Sequence, residues 1–216
     1  MLTTEAIVEM AVRICDSERI DSLTIRRLAS ELGVGPMTLY SYFRSKEEIL
    51  DGVADHVLGN FQVPEVEGHD AAETIRSLAH ALLGMMRRHP SVVYLMASRT
   101  TTSAKSMKGA MDDVIGCLRA AGFDDDAAVR VYAALMIYAL GFASYQLPRQ
   151  WGLGGDEAAE LRRQRTHFYA SLPRDEFPNL VDLSPMVTTM ASDEQFEFGL
   201  DALVAGLRST VGGPLT

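Results

Sequence analysis

Four hydroxyls crowd into five residues of this chain, beside a patch of positive charge. Thr38, Tyr40, Ser41 and Tyr42 carry the hydroxyls, and Pro36 and Met37 just before them are apolar. Hydroxyls can bond phosphate oxygens and apolar groups can touch thymine methyls, so the set suits the wall of a DNA groove. Between residues 22 and 46 the basic residues are Arg26, Arg27, Arg44 and Lys46 and the only acid is Glu31, a local charge of +3. The 216-residue chain carries a formal −9, which repels nucleic acid everywhere else. A basic segment on an acidic body reads as a confined binding face.

Two short helices and a tight turn would hold these groups. Thr24 caps the first, whose apolar face is Ile25, Leu28, Ala29 and Leu32. Gly33 stops it, Val34 fills the corner, and Gly35-Pro36 opens a second helix of about seven residues. At 100° per residue Leu39 and Phe43 point inward and Met37 and Ser41 outward. Pro36 and Tyr40 take one edge, Thr38 and Tyr42 the other. Ser45 to Glu48 is a capping box, so the next helix places Lys46 at its N-terminus, where ammonium and backbone amides can share a phosphate. A hairpin packed wholly in a core has no reason to leave Met37, Thr38, Tyr40 and Tyr42 around a solvent face.

The remaining chain reads as helix. A first helix starts at Thr3 or Thr4, with Ile7, Ala11 and Ile14 as its packing stripe. Helical spacing continues over 45–60, 71–88, 92–97, 104–121, 127–147 and 156–172, with a linker at 62–70. Residues 131–147 lack any charge, which raises a membrane span. The stretch is short for one and holds Ser144 and Gln146, so it reads instead as a helix covered on all sides, partly by a second subunit, with no membrane. In the last helix Phe196, Leu200, Leu203 and Leu207 form one face. Ala202, Ala205, Gly206 and Ser209 form another, small enough for a symmetric copy to approach. Together these two helices predict a twofold four-helix interface and a homodimer. Arg162, Arg163 and Arg165 read as a solvated face, with a second anion site as the alternative.

Catalytic and metal chemistry find little support. Cys15 and Cys117 stand apart among apolar residues, and the five histidines show no ligand spacing. No nucleophile elbow, paired carboxylates on one face or phosphate loop occurs. No enzyme activity, metal or cofactor is therefore expected. The missing disulfide framework and signal-peptide layout fit the cytoplasm.

Leu-Thr-Ile-Arg-Arg-Leu-Ala at 23–29, Leu-Gly-Val at 32–34, Thr-Leu-Tyr at 38–40, Lys46 and Ile49-Leu50-Asp51 resemble the DNA-binding region of the tetracycline-repressor (TetR) family. Ser98-Arg99-Thr100, Gly122-Phe123, Leu140-Gly141, Phe196-Glu197-Phe198-Gly199-Leu200 and Gly206-Leu207 resemble the family's regulatory domain. The resemblance implies an all-α protein with a helix-turn-helix DNA-binding domain at 1–48 and a connecting helix at 49–62. A helical ligand-binding and dimerisation domain would fill 63–216. It implies that Arg26, Pro36, Met37 and Tyr40 read bases and that Thr24, Thr38, Ser41, Tyr42 and Lys46 face phosphates. The tetracycline repressor has a glutamine where this chain has Pro36, so its operator preference does not carry over.

The function implied is a ligand-responsive regulator, in the repressing sense, on a near-palindromic double-stranded operator. The expected small-molecule effector pocket draws on Leu78, Leu82, Met86, Tyr94, Met107, Met111, Met136, Phe142 and Tyr145. Its methionines adapt to varied apolar shapes and suit a lipophilic effector. Leu95 and Tyr145 fall where the tetracycline repressor has a histidine and a glutamate that help bind magnesium, so magnesium-tetracycline is not the expected effector. A constitutive DNA binder without effector, or an enzyme using the apolar body, are the other readings.

Overall fold

Thr3, Thr24, Ser45 and Asp70 each end a piece of extended backbone and turn a side-chain oxygen onto an orphan amide three residues on. The bonds run from Ala6, Arg27, Glu48 and Glu73 N–H at 3.1, 3.1, 3.2 and 2.7 Å. They start α1 (Thr4–Glu18) and α2 (Ile25–Glu31), then, beyond the proline-led α3 (Pro36–Tyr40), α4 (Lys46–Gly59) and α5 (Ala71–Arg88). Then come α6 (Pro90–Ser98), α7 (Ala104–Met107), a π turn (Lys108–Asp112), α8 (Asp113–Ala120) and α9 (Asp125–Gln146). The chain closes with α10 (Asp156–Ala170), α11 (Pro178–Asp182), α12 (Ser184–Val187) and α13 (Asp193–Thr210). The computed structural model describes residues 2–66, 70–99 and 103–210, apart from the side chains of 208–210, and every regular element among them is helical.

The π turn interrupts what periodicity reads as one helix over 104–121. Gly109 lies within it, where a β-carbon would stand 2.8 Å from the Leu58 carbonyl oxygen. The widened turn thus brings bare backbone against the end of α4.

The chain forms two compact units, residues 1–140 and 141–212, and α9 runs through the boundary. In the first, Ile7, Ala11 and Ile14 of α1 are buried, as are Leu28, Leu39, Ile49 and Val53 around them. Ile75, Leu78, Leu82 and Met86 of α5 and Val114 and Leu118 of α8 continue this core. Cys15 is buried within it; loss of hydration, then the neighbouring Asp16 charge, push its thiol up to about 11, against a smaller opposing pull from Lys46.

In the second unit Phe142 packs on Phe196 with ring centres 5.0 Å apart. The buried Gln146 Nε2 donates to the Ala191 carbonyl at 2.7 Å. Gly152 backs onto that same carbonyl, and any β-carbon there would overlap it. Gly152→Ala is therefore expected to destabilise the fold by about 2 kcal/mol, since backbone cannot move aside as a side chain would. A thermal melt checks this; an unchanged midpoint would reject the close approach.

The arginines of α10 are not uniformly solvated. Arg162 Nε donates to the Trp151 carbonyl at 3.0 Å, and the Arg165 guanidinium lies 5.1, 4.9 and 5.1 Å from the Trp151, Phe168 and Tyr169 ring centres. Only Arg163 keeps the expected exposure, beside Glu160. Aromatic faces attract guanidinium, and sequence spacing does not reveal which rings fold beneath it.

Helix α9 has the length and apolarity to cross a membrane, with mean hydropathy of 1.5 over its most apolar window, of which 39% is buried. Its exposed residues form a stripe through Val129, Ala133 and Ile137 to Gly141 and Ser144.

Candidate nucleic-acid interface

Helix α3 has only five residues, too few for a helix to persist alone, so its position depends on what anchors it. Leu39 is fully buried and Phe43 nearly so. Between α2 and α3 the turn rests on Gly33, whose φ of +66° lies in the left-handed region. The Val34 amide bonds back to the Ala29 carbonyl at 3.0 Å, and Val34 is half-buried in the corner. Gly35 and Pro36 then open α3 without a side-chain cap.

With those anchors inward, the opposite side faces out. Met37 is 78% exposed and Tyr40 50% exposed, and Pro36, Thr38, Ser41 and Tyr42 are exposed with them. Two of the hydroxyls already donate within the protein. Ser41 Oγ bonds the Thr38 carbonyl at 2.6 Å, and Tyr42 Oη bonds the Leu2 carbonyl at 2.8 Å. Tyr42 thereby ties the chain's start to the interface, and its proton would have to leave Leu2 to reach a phosphate.

The basic cluster also divides. Arg26 is exposed and holds no ion pair among the described residues. Arg27 is held by Glu18 at 2.9 Å and Glu31 at 3.0 Å, which withdraws much of its charge from the face. Lys46 begins α4, where Ser45 caps the helix and the Glu48 carboxylate accepts from the Arg44 amide at 2.5 Å. The capping-box glutamate thus reaches one residue further back than the usual pattern.

Contacts between residues far apart in the chain join α1 and α4 to α6. The Asp16 carboxylate of α1 accepts from the Ser91 amide at 3.1 Å and the Ser91 hydroxyl at 2.5 Å, and its second oxygen pairs with His89 Nδ1 at 2.8 Å. His89 is the N-cap of α6 and supplies no capping bond of its own, so α1 caps that helix from outside. At the other end of α6, Arg99 donates to Asp51 Oδ1 at 2.8 Å and to the Glu47 carbonyl at 3.3 Å, both on α4. Helix α6 is therefore held at both ends by helices of the head.

Leu78, Leu82 and Met86 are fully buried along α5, and Met136 is buried on α9. Tyr94, Met107, Met111 and Tyr145 are exposed, and Phe142 is half-buried on Phe196. Tyr94 and Ser98 line a small recess with Arg19, Ile20 and Asp21. On α13, Ala202, Ala205 and Gly206 are exposed together with Phe198, while the Ser209 side chain lies outside the described residues. Thr100 of the sequence pattern lies outside them too.

Residues 3–53 match the family model for bacterial regulatory proteins, tetR family, and residues 63–211 match that for the tetracyclin repressor-like C-terminal domain. The HTH-type transcriptional repressor DrrR1 of Streptomyces coeruleorubidus is 32% identical over 97% of this chain and 78% of its own. The Streptomyces coelicolor protein ActR, solved in complex with actinorhodin, is 34% identical with a TM-score of 0.78, over 98% of this chain and 97% of its own. BioQ, solved with its double-stranded DNA operator, is 27% identical with a TM-score of 0.55, over 96% and 98%.

Proposed function

Since this chain belongs to the tetR family of bacterial regulatory proteins and is a DNA-binding transcriptional regulator, we propose that it acts as a homodimeric repressor released by a lipophilic effector. Its target is a near-palindromic operator with half-sites about one helical turn or slightly more apart. Residues 1–48 read the DNA, 49–62 connect, and 63–216 bind effector and partner subunit. The observation that carries this reading is the outward face of α3, with Met37 and Tyr40 in solvent above a buried Leu39. Arg26 and Pro36 join them in reading bases; Thr24, Thr38, Ser41, Tyr42 and Lys46 contact phosphates.

ActR holds actinorhodin, which supports a ligand-binding role for the helical body here. The double hold on α6 supplies a route for release. A ligand that displaces α6 pulls on Asp16 of α1 and Asp51 of α4 and so re-spaces the reading heads. It can release DNA only as far as it prefers the re-spaced state. No catalytic step, metal or cofactor enters this scheme, and its place is the cytoplasm with the DNA it reads.

Selection of bound DNA from a random pool tests the reading directly: a recovered palindrome is the expected result. On that DNA, Tyr40→Ala and Arg26→Ala should each lose about 1–3 kcal/mol and relax base preference. Lys46→Ala should weaken binding to every sequence alike and lower the salt slope by about one. Equal losses on selected and random DNA for all three variants would refute the division of roles.

A further inference from the structure

A cleft of about 390 Å³ opens beside α4 and α5, away from the buried residues expected to form the effector pocket. Its floor is apolar, with Phe61 and Met85 both buried. Its polar lining is His56, His80, His89 and Arg88 with the amides of Asn60 and Gln62, and no carboxylate is among the described lining residues. The Arg88 guanidinium folds back over Gly84, where its Nη1 stands 3.4 Å from the place a β-carbon would take. It holds no ion pair among the described residues. A cation laid along an apolar floor, beside imidazoles and side-chain amides, is the complement of a carboxylate or sulfonate on an aromatic or aliphatic body.

We propose that this cleft binds an organic acid of that form and that its occupation regulates DNA binding. The coupling rests on His89. One side of that residue lines the cleft, while its Nδ1 holds Asp16 of α1 at 2.8 Å. The same Asp16 caps α6 through Ser91. An acid seated on Arg88 and bonded to the other ring nitrogen of His89 pulls on the ring that holds Asp16, and loosening Asp16 frees one end of α6 and the first helix of the head. The regulatory half of this inference rests on the repressor reading; the binding half does not.

Paired probes separate the two. The anionic dye 8-anilinonaphthalene-1-sulfonate has the required form, and N-phenyl-1-naphthylamine is the same body without the acid. Fluorescence titration of the full chain should show the sulfonate binding, with affinity falling at least tenfold in Arg88→Met and several-fold in His56→Gln. The neutral dye should change less than twofold in either variant, and Arg13→Met, the same charge change outside the cleft, should bind both dyes as the parent does. No sulfonate binding, or equal losses for both dyes, overturns the site. In a second arm the sulfonate should release selected operator from the parent protein and not from Arg88→Met. Release from both forms alike would overturn the regulatory role. A chain that selects no DNA would sink the repressor reading, while the first arm would still decide the cleft.

Discussion

Glutamate in place of Ile137 is expected to split the proposed homodimer into folded monomers that no longer hold the operator. Ile137 is 72% exposed on α9, within a stripe otherwise built of valine, alanine, glycine and serine. Phe198 on α13 is 69% exposed, beside the small residues Ala202, Ala205 and Gly206. Side chains of this size in water mark interaction surface, which the proposed dimer would cover with a second copy. In a twofold dimer every substitution occurs twice, so two carboxylates would lose their water without a partner. Dissociation should strengthen by about 4 kcal/mol or more, roughly a thousandfold in the constant.

A monomer engages one half-site at a time, so operator affinity should fall by about 100-fold or more from lost simultaneous engagement alone. Sedimentation reads the assembly state, and helix content by circular dichroism reads the fold. Because Ile137 touches water in the single subunit, helix content should stay as in the parent. A variant that sediments as a dimer and binds operator normally would place the interface elsewhere.

The second large effect is expected from Leu39→Ala. Leu39 is fully buried and is the principal anchor of a five-residue helix that cannot stand unsupported. Removing its isobutyl group should destabilise the head by about 2–5 kcal/mol, through lost burial and the cavity left behind. That is enough to release α3 from its place in much of the population. Operator affinity should drop at least 100-fold while sedimentation still reports a dimer, since α9 and α13 are untouched.

Met37→Ala provides the contrast. Met37 is 78% exposed, so its loss should leave the melting profile within about 0.5 kcal/mol of the parent yet weaken discrimination at the base it touches. If Leu39→Ala bound operator as the parent does, α3 could not be the anchored reading helix.

Residue order alone was enough to place most helix starts and the two sides of α3. Thr3, Thr24 and Ser45 act on amides three residues away, and Leu39 and Phe43 share a face because they lie four apart. Such relations survive any packing arrangement, because the helix itself enforces them.

Tertiary structure decided everything that joins distant parts of the chain. Asp16 meets His89 and Ser91 across 73 and 75 residues, and Arg99 meets Asp51 across 48. Nothing in the vicinity of Asp16 distinguishes it from an ordinary polar residue near a helix end. Arg27 belongs to the basic segment by sequence, yet Glu18 and Glu31 hold its guanidinium. The π turn carries Gly109, whose backbone meets Leu58 of another helix. Helical periodicity sets which way each side chain points, and only the docking of one helix on another sets what it points at.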